Sequence, residues 1–360
     1  MKSRMLRGGA VIGQGTYGCA ISPPLLCRGQ ARDARLATKG KQVGKLTLQT
    51  DAMTELHIAK ILRTTSLWKH YFILPELTDC QPVAAGSSNW DTCKITKTET
   101  EKTLKQVISD FGGRSFSSLA GKNLRPGSFD YFFFFEHLLE ACAYLALNGV
   151  VHYDLHRSNI LIDPLGVPRL LDFGMSFSAR NIDNNIIGNR WKVYDPKYDS
   201  EPPEVTIITG IRDKLHISKA IDECIYGKPV FSLAEEILGI SKSTVKSQIQ
   251  EFTEKSASFQ KKDWVAFWRT YWTGFDAFAI GAVLLNVLKV QITLPEFVGD
   301  SRWIQCGDKI MEILAKIIHP DPSERYDCVE ALAMWDSENV LLKNSVAWLE
   351  TRKKQRLQLS

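Results

Sequence analysis

The 360-residue chain has no Cys-x-x-Cys pair and no His/Cys cluster at zinc spacing, although it holds eight cysteines, at 19, 27, 80, 93, 142, 224, 306 and 328. The common structural zinc sites are thereby excluded. No secretory signal is recognisable at the N-terminus, which with the scattered cysteines predicts reduced thiols and a cytoplasmic location. The longest apolar run, Phe275–Leu288, falls short of the roughly 20 residues that span a bilayer. It is expected as a buried core helix, with no membrane partner. An excess of one charge sign is also lacking: 45 basic residues face 40 acidic ones, a formal net charge of +5. With no basic face interleaved with aromatics, no nucleic-acid partner is expected. Internal repeats and low-complexity tracts are absent as well.

At 44% hydrophobic, the chain can build one large two-part unit or two ordinary domains. About the first 110 residues carry short β-type segments, a helical stretch near Ala52–Leu62, and loop-like inserts at Arg28–Gly40 and Cys80–Asn89. Phe129–Asn148 is strongly helical and stops at Asn148-Gly149. Two strands follow, Ile160–Ile162 and Pro168–Leu171, joined through Pro164, Leu165 and Gly166. The remainder is mostly helical. That order predicts a small β-rich part followed by a larger α-rich part.

Four constellations carry chemistry. The string Ile12, Gly13, Gln14, Gly15, Thr16, Tyr17, Gly18, Cys19, Ala20 spaces its glycines so that backbone N–H groups can approach phosphate oxygens. G-x-G-x-x-G also marks dinucleotide folds, but Ser22-Pro23-Pro24 follows here instead of a helix opening on the third glycine. Lys45, in a strand-like stretch after Val43, is suited to hold phosphates, with Glu55 on the following helix to hold the lysine; Lys39, Lys41 and Glu76 are nearby alternatives. His152-Tyr153-Asp154-Leu155-His156-Arg157-Ser158-Asn159 precedes an apolar strand and offers a base, Asp154, and a metal ligand, Asn159. Asp172-Phe173-Gly174 ends the next strand and adds an anionic ligand for Mg²⁺.

Together these residues resemble the protein-kinase set of glycine-rich loop, strand lysine, helix glutamate, H-R-D-L-x-x-x-N loop and D-F-G. Glu201-Pro202-Pro203-Glu204 resembles the A-P-E that ends the activation segment. Asp276 to Gly281 resembles the D-x-W-S-x-G of the buried central helix, and Asp321 to Arg325 the D-P-x-x-R whose arginine pairs with that glutamate, here Glu204. The resemblance runs from about residue 10 to about residue 335. It implies an α+β, two-lobed fold with an N-lobe over 1–110, a C-lobe over 111–350 with a helical insert near 205–270, and a basic tail over 351–360. It implies ATP and Mg²⁺ as cofactors and a protein Ser/Thr hydroxyl as acceptor. Asp154, Lys45, Glu55 and His156 take catalytic roles, Asn159 and Asp172 hold the metal, and residues 12–20 with Val43 and Leu161 surround the nucleotide. The Gly15-Thr16-Tyr17-Gly18-Cys19 string with Pro23 to Cys27, and Asp110 to Gly113, are similar to serine/threonine kinases of large cytoplasmic DNA viruses.

The pattern departs at four places. Tyr153 stands for the arginine that reads an activation-loop phosphate, so activity is expected not to need phosphorylation between Met175 and Ser200. His156 stands for a lysine that contacts the transferring phosphoryl group, and histidine titrates near neutrality. Transfer should therefore fall as pH rises, unless another cation takes over. H-x-D-L-H-x-x-N also occurs in small-molecule phosphotransferases; that activity and a pseudokinase scaffold are the alternatives. Ala20 and Val43 exchange the usual sizes of the adenine-pocket pair. Finally, the long stretch from Glu204 to Asp276 carries Trp264, Trp268 and Trp272 at i, i+4, i+8. It is expected to pack on the large lobe or, as an exposed stripe, to dock a partner. Arg352–Arg356 is expected as a solvated helix end.

Overall fold

In a computed structural model of the chain, which describes residues 10–15, 18–29, 41–78, 80–83, 88–119 and 124–359, the early β segments close into an antiparallel sheet. Its order is β1 (Ala10–Gly15), β2 (Gly18–Ser22), β3 (Gln42–Leu48), β4 (Leu104–Asp110). The two-residue side-chain period sorts its faces. Cys19, Ile21 and Leu46 turn inward with Leu25, Cys93 and Leu104 to form a core. The register pairs Ala20 with Lys45, so Ala20, Val43 and Lys45 share the opposite face. Helix α1 (Gln49–Leu62) starts directly off β3, three residues before the expected stretch, and buries Ala52, Glu55, Ile58, Ala59 and Leu62. That is the i, i+3, i+4 stripe of a helix laid on a sheet, with one acid in it.

The expectation of eight reduced thiols is overturned. Cys19 is bonded to Cys93 and Cys27 to Cys80, with Cα atoms 6.0 and 5.3 Å apart; Cys142, Cys224, Cys306 and Cys328 are free. Spacing along the chain could not reveal this, because 74 and 53 residues separate the partners. The insert expected as a loop from Cys80 is strand-like at its start: Cys80 bridges Gln106 and Pro82 bridges Cys27. Residues 30–40 and 84–87 of the two inserts lie outside the described residues.

The chain divides into two compact units. The first ends at Gly113 and also takes in Leu171–Ser176; the second comprises Arg114–Leu170 and Phe177–Ser360. In the second, α2 (Tyr131–Leu147) is capped by Asp130, which accepts from Phe132 N at 3.0 Å and Phe133 N at 3.2 Å. It stops where Gly149 adopts φ +66°, a conformation glycine enters without a Cβ clash. Strand β5 (Arg114–Ser115) pairs β7 (Ile160–Ile162), which pairs β8 (Pro168–Leu170); β6 (Val150–Val151) pairs β9 (Phe177–Ser178). Helix α8 (Thr273–Gln291) is long and apolar enough to cross a membrane by composition, yet 83% of that window is buried inside the protein. It is the core helix the sequence predicts, and it packs on α2.

The insert before α8 is helical: α3 (Pro203–Arg212), α4 (Ile217–Gly227), α5 (Pro229–Leu238), α6 (Lys242–Lys255) and α7 (Trp264–Tyr271). Its tryptophans pack instead of forming an exposed stripe. Trp268 is fully buried against Tyr153, Phe177 and Phe275; Trp264 meets Phe259 and Trp272 meets Trp348. After α9 (Ser301–Ile317) and α10 (Cys328–Trp335) comes α11 (Val346–Leu359). The expectation of a solvated basic end holds for the exposed Lys353 and Lys354 but is overturned for Arg352 and Arg356. Arg352 forms an ion pair with Asp327 at 3.0 Å, Arg356 pairs with Glu330, and Trp348 Nε1 donates to Asp327 at 3.0 Å. The two acids belong to the α10 capping box, which leaves negative charge for α11 to cover.

Arg325 and Glu204 meet as the resemblance implies. Both guanidinium nitrogens donate at 2.8 Å, and neither side chain is solvent-exposed. Glu204→Ala should cost about 3–5 kcal/mol in unfolding free energy, since it strands a buried guanidinium, and the Glu204→Leu/Arg325→Met double variant should cost less. Chemical denaturation of both variants measures the difference. Alkylation of the denatured chain before reduction should label four cysteines, rising to eight after reduction, by mass spectrometry.

Candidate functional site

In the first unit, the glycine-rich hairpin is β1 and β2 with a bulge at Ile12, which is 49% exposed. A Cβ on Gly15 would meet nothing, and one on Gly13 only Ala20 at 3.7 Å, so the backbone there is open to a ligand. A Cβ on Gly18 would sit 2.2 Å from Leu46 O. That glycine is demanded by the approach of β3, not by a phosphate. Gln14 Nε2 donates to Thr92 O at 3.0 Å, and the Cys19–Cys93 bond fixes the same neighbour from β2. Thr16 and Tyr17 lie outside the described residues.

Lys45 Nζ forms an ion pair with Glu55 of α1 and donates to Asp172 Oδ1 at 2.6 Å. Of the alternatives, Glu76 accepts from Gln42 Nε2 at 2.7 Å and Lys41 is an exposed turn residue; Lys39 lies outside the described residues. Burial works against the Lys45 charge, but Glu55 and Asp172 outweigh it and hold the ammonium. Burial pushes the Glu55 carboxyl up to about 7 against the pull of Lys45, with Asp172 adding to the rise. One ammonium thus serves two carboxylates. Asp172 takes φ +68°, uncommon for a residue with a Cβ, and Phe173 behind it is buried edge-on to Phe72.

In the second unit, the catalytic loop hangs from α8. Asp276 accepts from His152 N at 2.7 Å and from Tyr153 N at 2.9 Å. Tyr153 has φ +66°, and its ring packs on Phe177, Trp268 and Phe275, so an aromatic plug fills the place of the family arginine. Asn159 Nδ2 donates to Asp154 O at 2.8 Å, which braces the loop and leaves its amide oxygen as the atom to offer a cation. His156 Nδ1 accepts from Ser158 N at 3.2 Å, and its Nε2 lies 3.7 Å from Asp154 Oδ2. Leu161, on β7, is half-buried.

Sequence reasoning missed two neighbours of Asp154. Lys192 Nζ donates to Asp154 Oδ1 at 2.8 Å and to Tyr153 O at 2.9 Å, and the Tyr198 hydroxyl donates to the same Oδ1 at 3.3 Å. They lie 38 and 44 residues away in a stretch of no periodicity, so no local signal marks them. Burial raises the Asp154 carboxyl, but His156 and Lys192 together pull it well below the usual range. It therefore stays ionised and suits orienting a hydroxyl better than stripping it early. Behind Tyr198, the fully buried Lys228 donates to its carbonyl, while Asp199 accepts from Val230 N at 2.6 Å and from Asn286 Nδ2 at 2.9 Å.

The donors suit a hard cation. Among the described residues no group of three or more His, Cys, Asp or Glu could cage a metal. Asp172 in the first unit offers a carboxylate and Asn159 in the second an amide oxygen; each is a donor type suited to Mg²⁺, an ion that takes one or two carboxylates and completes its shell with phosphate and water. Ala20→Val would crowd the face it shares with Lys45. An overpacking cost of about 1 kcal/mol corresponds to roughly fivefold weaker ATP binding; calorimetric titration showing unchanged affinity would reject a nucleotide on that face.

A family model for the protein kinase domain matches residues 7–335. The chain is also similar to the MAP kinase kinase kinase SSK2 of Saccharomyces cerevisiae, 33% identical over 114 residues. The match covers 31% of this chain and 7% of that much longer protein. With the family model covering nearly the whole sequence, and the lysine–glutamate pair, the Asp276-held loop and the buried Arg325–Glu204 pair all formed, the chain belongs to the protein kinase family.

Proposed function

We propose that the chain is an ATP- and Mg²⁺-dependent kinase that phosphorylates serine and threonine hydroxyls of proteins. The observation that carries this reading is Lys45 held within hydrogen-bonding reach of both Glu55 and Asp172. Such an ammonium is positioned to take phosphate oxygens, which is the part a scaffold-only relative has no need to keep. Lys45 and the open backbone at Gly13 and Gly15 would hold the nucleotide phosphates. Asn159 and Asp172 would hold Mg²⁺, which when bound neutralises charge on the transferring group. Asp154, kept ionised, would accept a hydrogen bond from the incoming hydroxyl and take its proton late.

Preference for serine and threonine has the similarity to SSK2 as modest support. The alternative of a small-molecule acceptor is disfavoured by the buried Arg325–Glu204 pair, which belongs with the large lobe of protein kinases. The likeness to kinases of large cytoplasmic DNA viruses rests on its short strings alone. A cytoplasmic location loses the support it drew from reduced thiols, since four cysteines are bonded.

A peptide array carrying serine, threonine and tyrosine acceptors, beside choline and aminoglycosides, tests the reading. Wild type should label hydroxyl peptides, and Asp172→Ala should lower turnover by about a thousandfold. Labelling of small molecules alone would refute it. Because packing, not a charge, holds Tyr153, phosphatase treatment should leave turnover unchanged. Loss of activity, restored by a phosphate between Met175 and Ser200, would show the opposite.

A further inference from the structure

We propose that Lys192, from the segment after D-F-G, supplies the cation for the transferring phosphoryl group in place of the lysine that His156 displaces. The inference rests on the phosphotransfer reading above and adds a catalytic residue to it.

Three features of Lys192 support the assignment. First, its ammonium has three N–H bonds; one goes to Asp154 Oδ1 at 2.8 Å and one to Tyr153 O at 2.9 Å. Those two fix the nitrogen beside the carboxylate that receives the hydroxyl, and the third is left for an incoming phosphoryl oxygen. Second, the ammonium lies over the Tyr153 and Tyr198 rings, 5.0 and 5.1 Å from their centroids, and the side chain is 15% exposed. A charge so shielded from water acts more strongly on an anion than a surface lysine does. Third, its backbone is anchored on both sides without a phosphate. Trp191 lies edge-on to the buried Trp268, and the Tyr198 carbonyl is held by Lys228.

His156 is placed for a different task. Its Nδ1 accepts from Ser158 N, which puts the ring proton on Nε2, the nitrogen facing Asp154. His156 is a positioning residue for Asp154, and the charge comes from Lys192.

The test uses the full chain, ATP with Mg²⁺, and the best peptide from the array. Lys192→Met keeps the apolar stem over the tyrosines and removes the charge. It should lower kcat about a hundredfold while KM for ATP stays within experimental error and the chain remains folded at the assay temperature by circular dichroism. Adding His156→Lys to that variant should return at least about tenfold of the loss, because a lysine then sits where the family carries one. Unchanged kcat in Lys192→Met overturns the assignment. A rise in kcat does too, and would mark Lys192 as a plug on Asp154. Failure of His156→Lys to rescue a stably folded Lys192→Met chain overturns it as well, since charge would then not be the missing quantity. Absence of turnover by wild type on every acceptor overturns the functional reading and this assignment together. Turnover by wild type that Lys192→Met matches overturns this assignment alone.

Discussion

The catalytic loop depends on one buried carboxylate. Asp276, at the start of the core helix, receives two successive backbone N–H groups, from His152 and Tyr153. Burial holds its carboxyl above the usual range, against the opposing pull of His152 and the two N–H groups. Taking two adjacent amides onto one acceptor bends the chain sharply, and Tyr153 answers with φ +66°. From that bend Asp154 and Asn159 are set out in order, with Asn159 bonded back to the Asp154 carbonyl. A helix with hardly any exposed surface is thus the reference frame for a loop that must meet a substrate.

Substitution of the family arginine by Tyr153 changes what surrounds that frame. An arginine there would need a counter-charge on the activation segment, whereas the Tyr153 ring takes packing partners and its hydroxyl is buried without a hydrogen bond among the described residues. The insert supplies one in Trp268, and Phe177 and Phe275 complete the cluster. Its next contribution is polar: Lys228 and Val230, at the start of α5, take the Tyr198 carbonyl and the Asp199 carboxylate. Helices α5 and α7 therefore hold the segment before Glu204 by burial and hydrogen bonds. The first unit shows a parallel economy, with disulfides tying the glycine hairpin and the Cys80 segment where its core is small.

Much of this was legible before any coordinates. The short apolar runs Ile160–Ile162 and Pro168–Leu171 marked strands, the apolar stretch at 275–288 marked a buried helix, and Asn148-Gly149 marked a helix stop, because each reports a local pattern or a local backbone preference. Ordered motifs placed Lys45, Glu55, Asp154, Asn159 and Asp172. The cysteine pairs were illegible, since pairing is decided by which strands lie side by side. The Trp264–Trp272 spacing was ambiguous, because a helical stripe looks the same whether it faces solvent or another helix. Arg352 and Arg356 looked like a solvated end for the same reason: their partners, Asp327 and Glu330, are set by a capping box on another helix.

What the sequence by itself determined was the class of chemistry: residue types that bind phosphate, hold a hard cation and orient a hydroxyl, in an order few other folds use. That information is local, carried by short strings whose spacing reflects one turn or one strand. What only the tertiary structure decided was which charges meet. Lys45 chose Glu55 over Glu76, and Lys192 came to Asp154 across 38 residues. Ion pairs act through space and are indifferent to chain distance, so which carboxylate each lysine meets became readable only once the backbone had been folded around them.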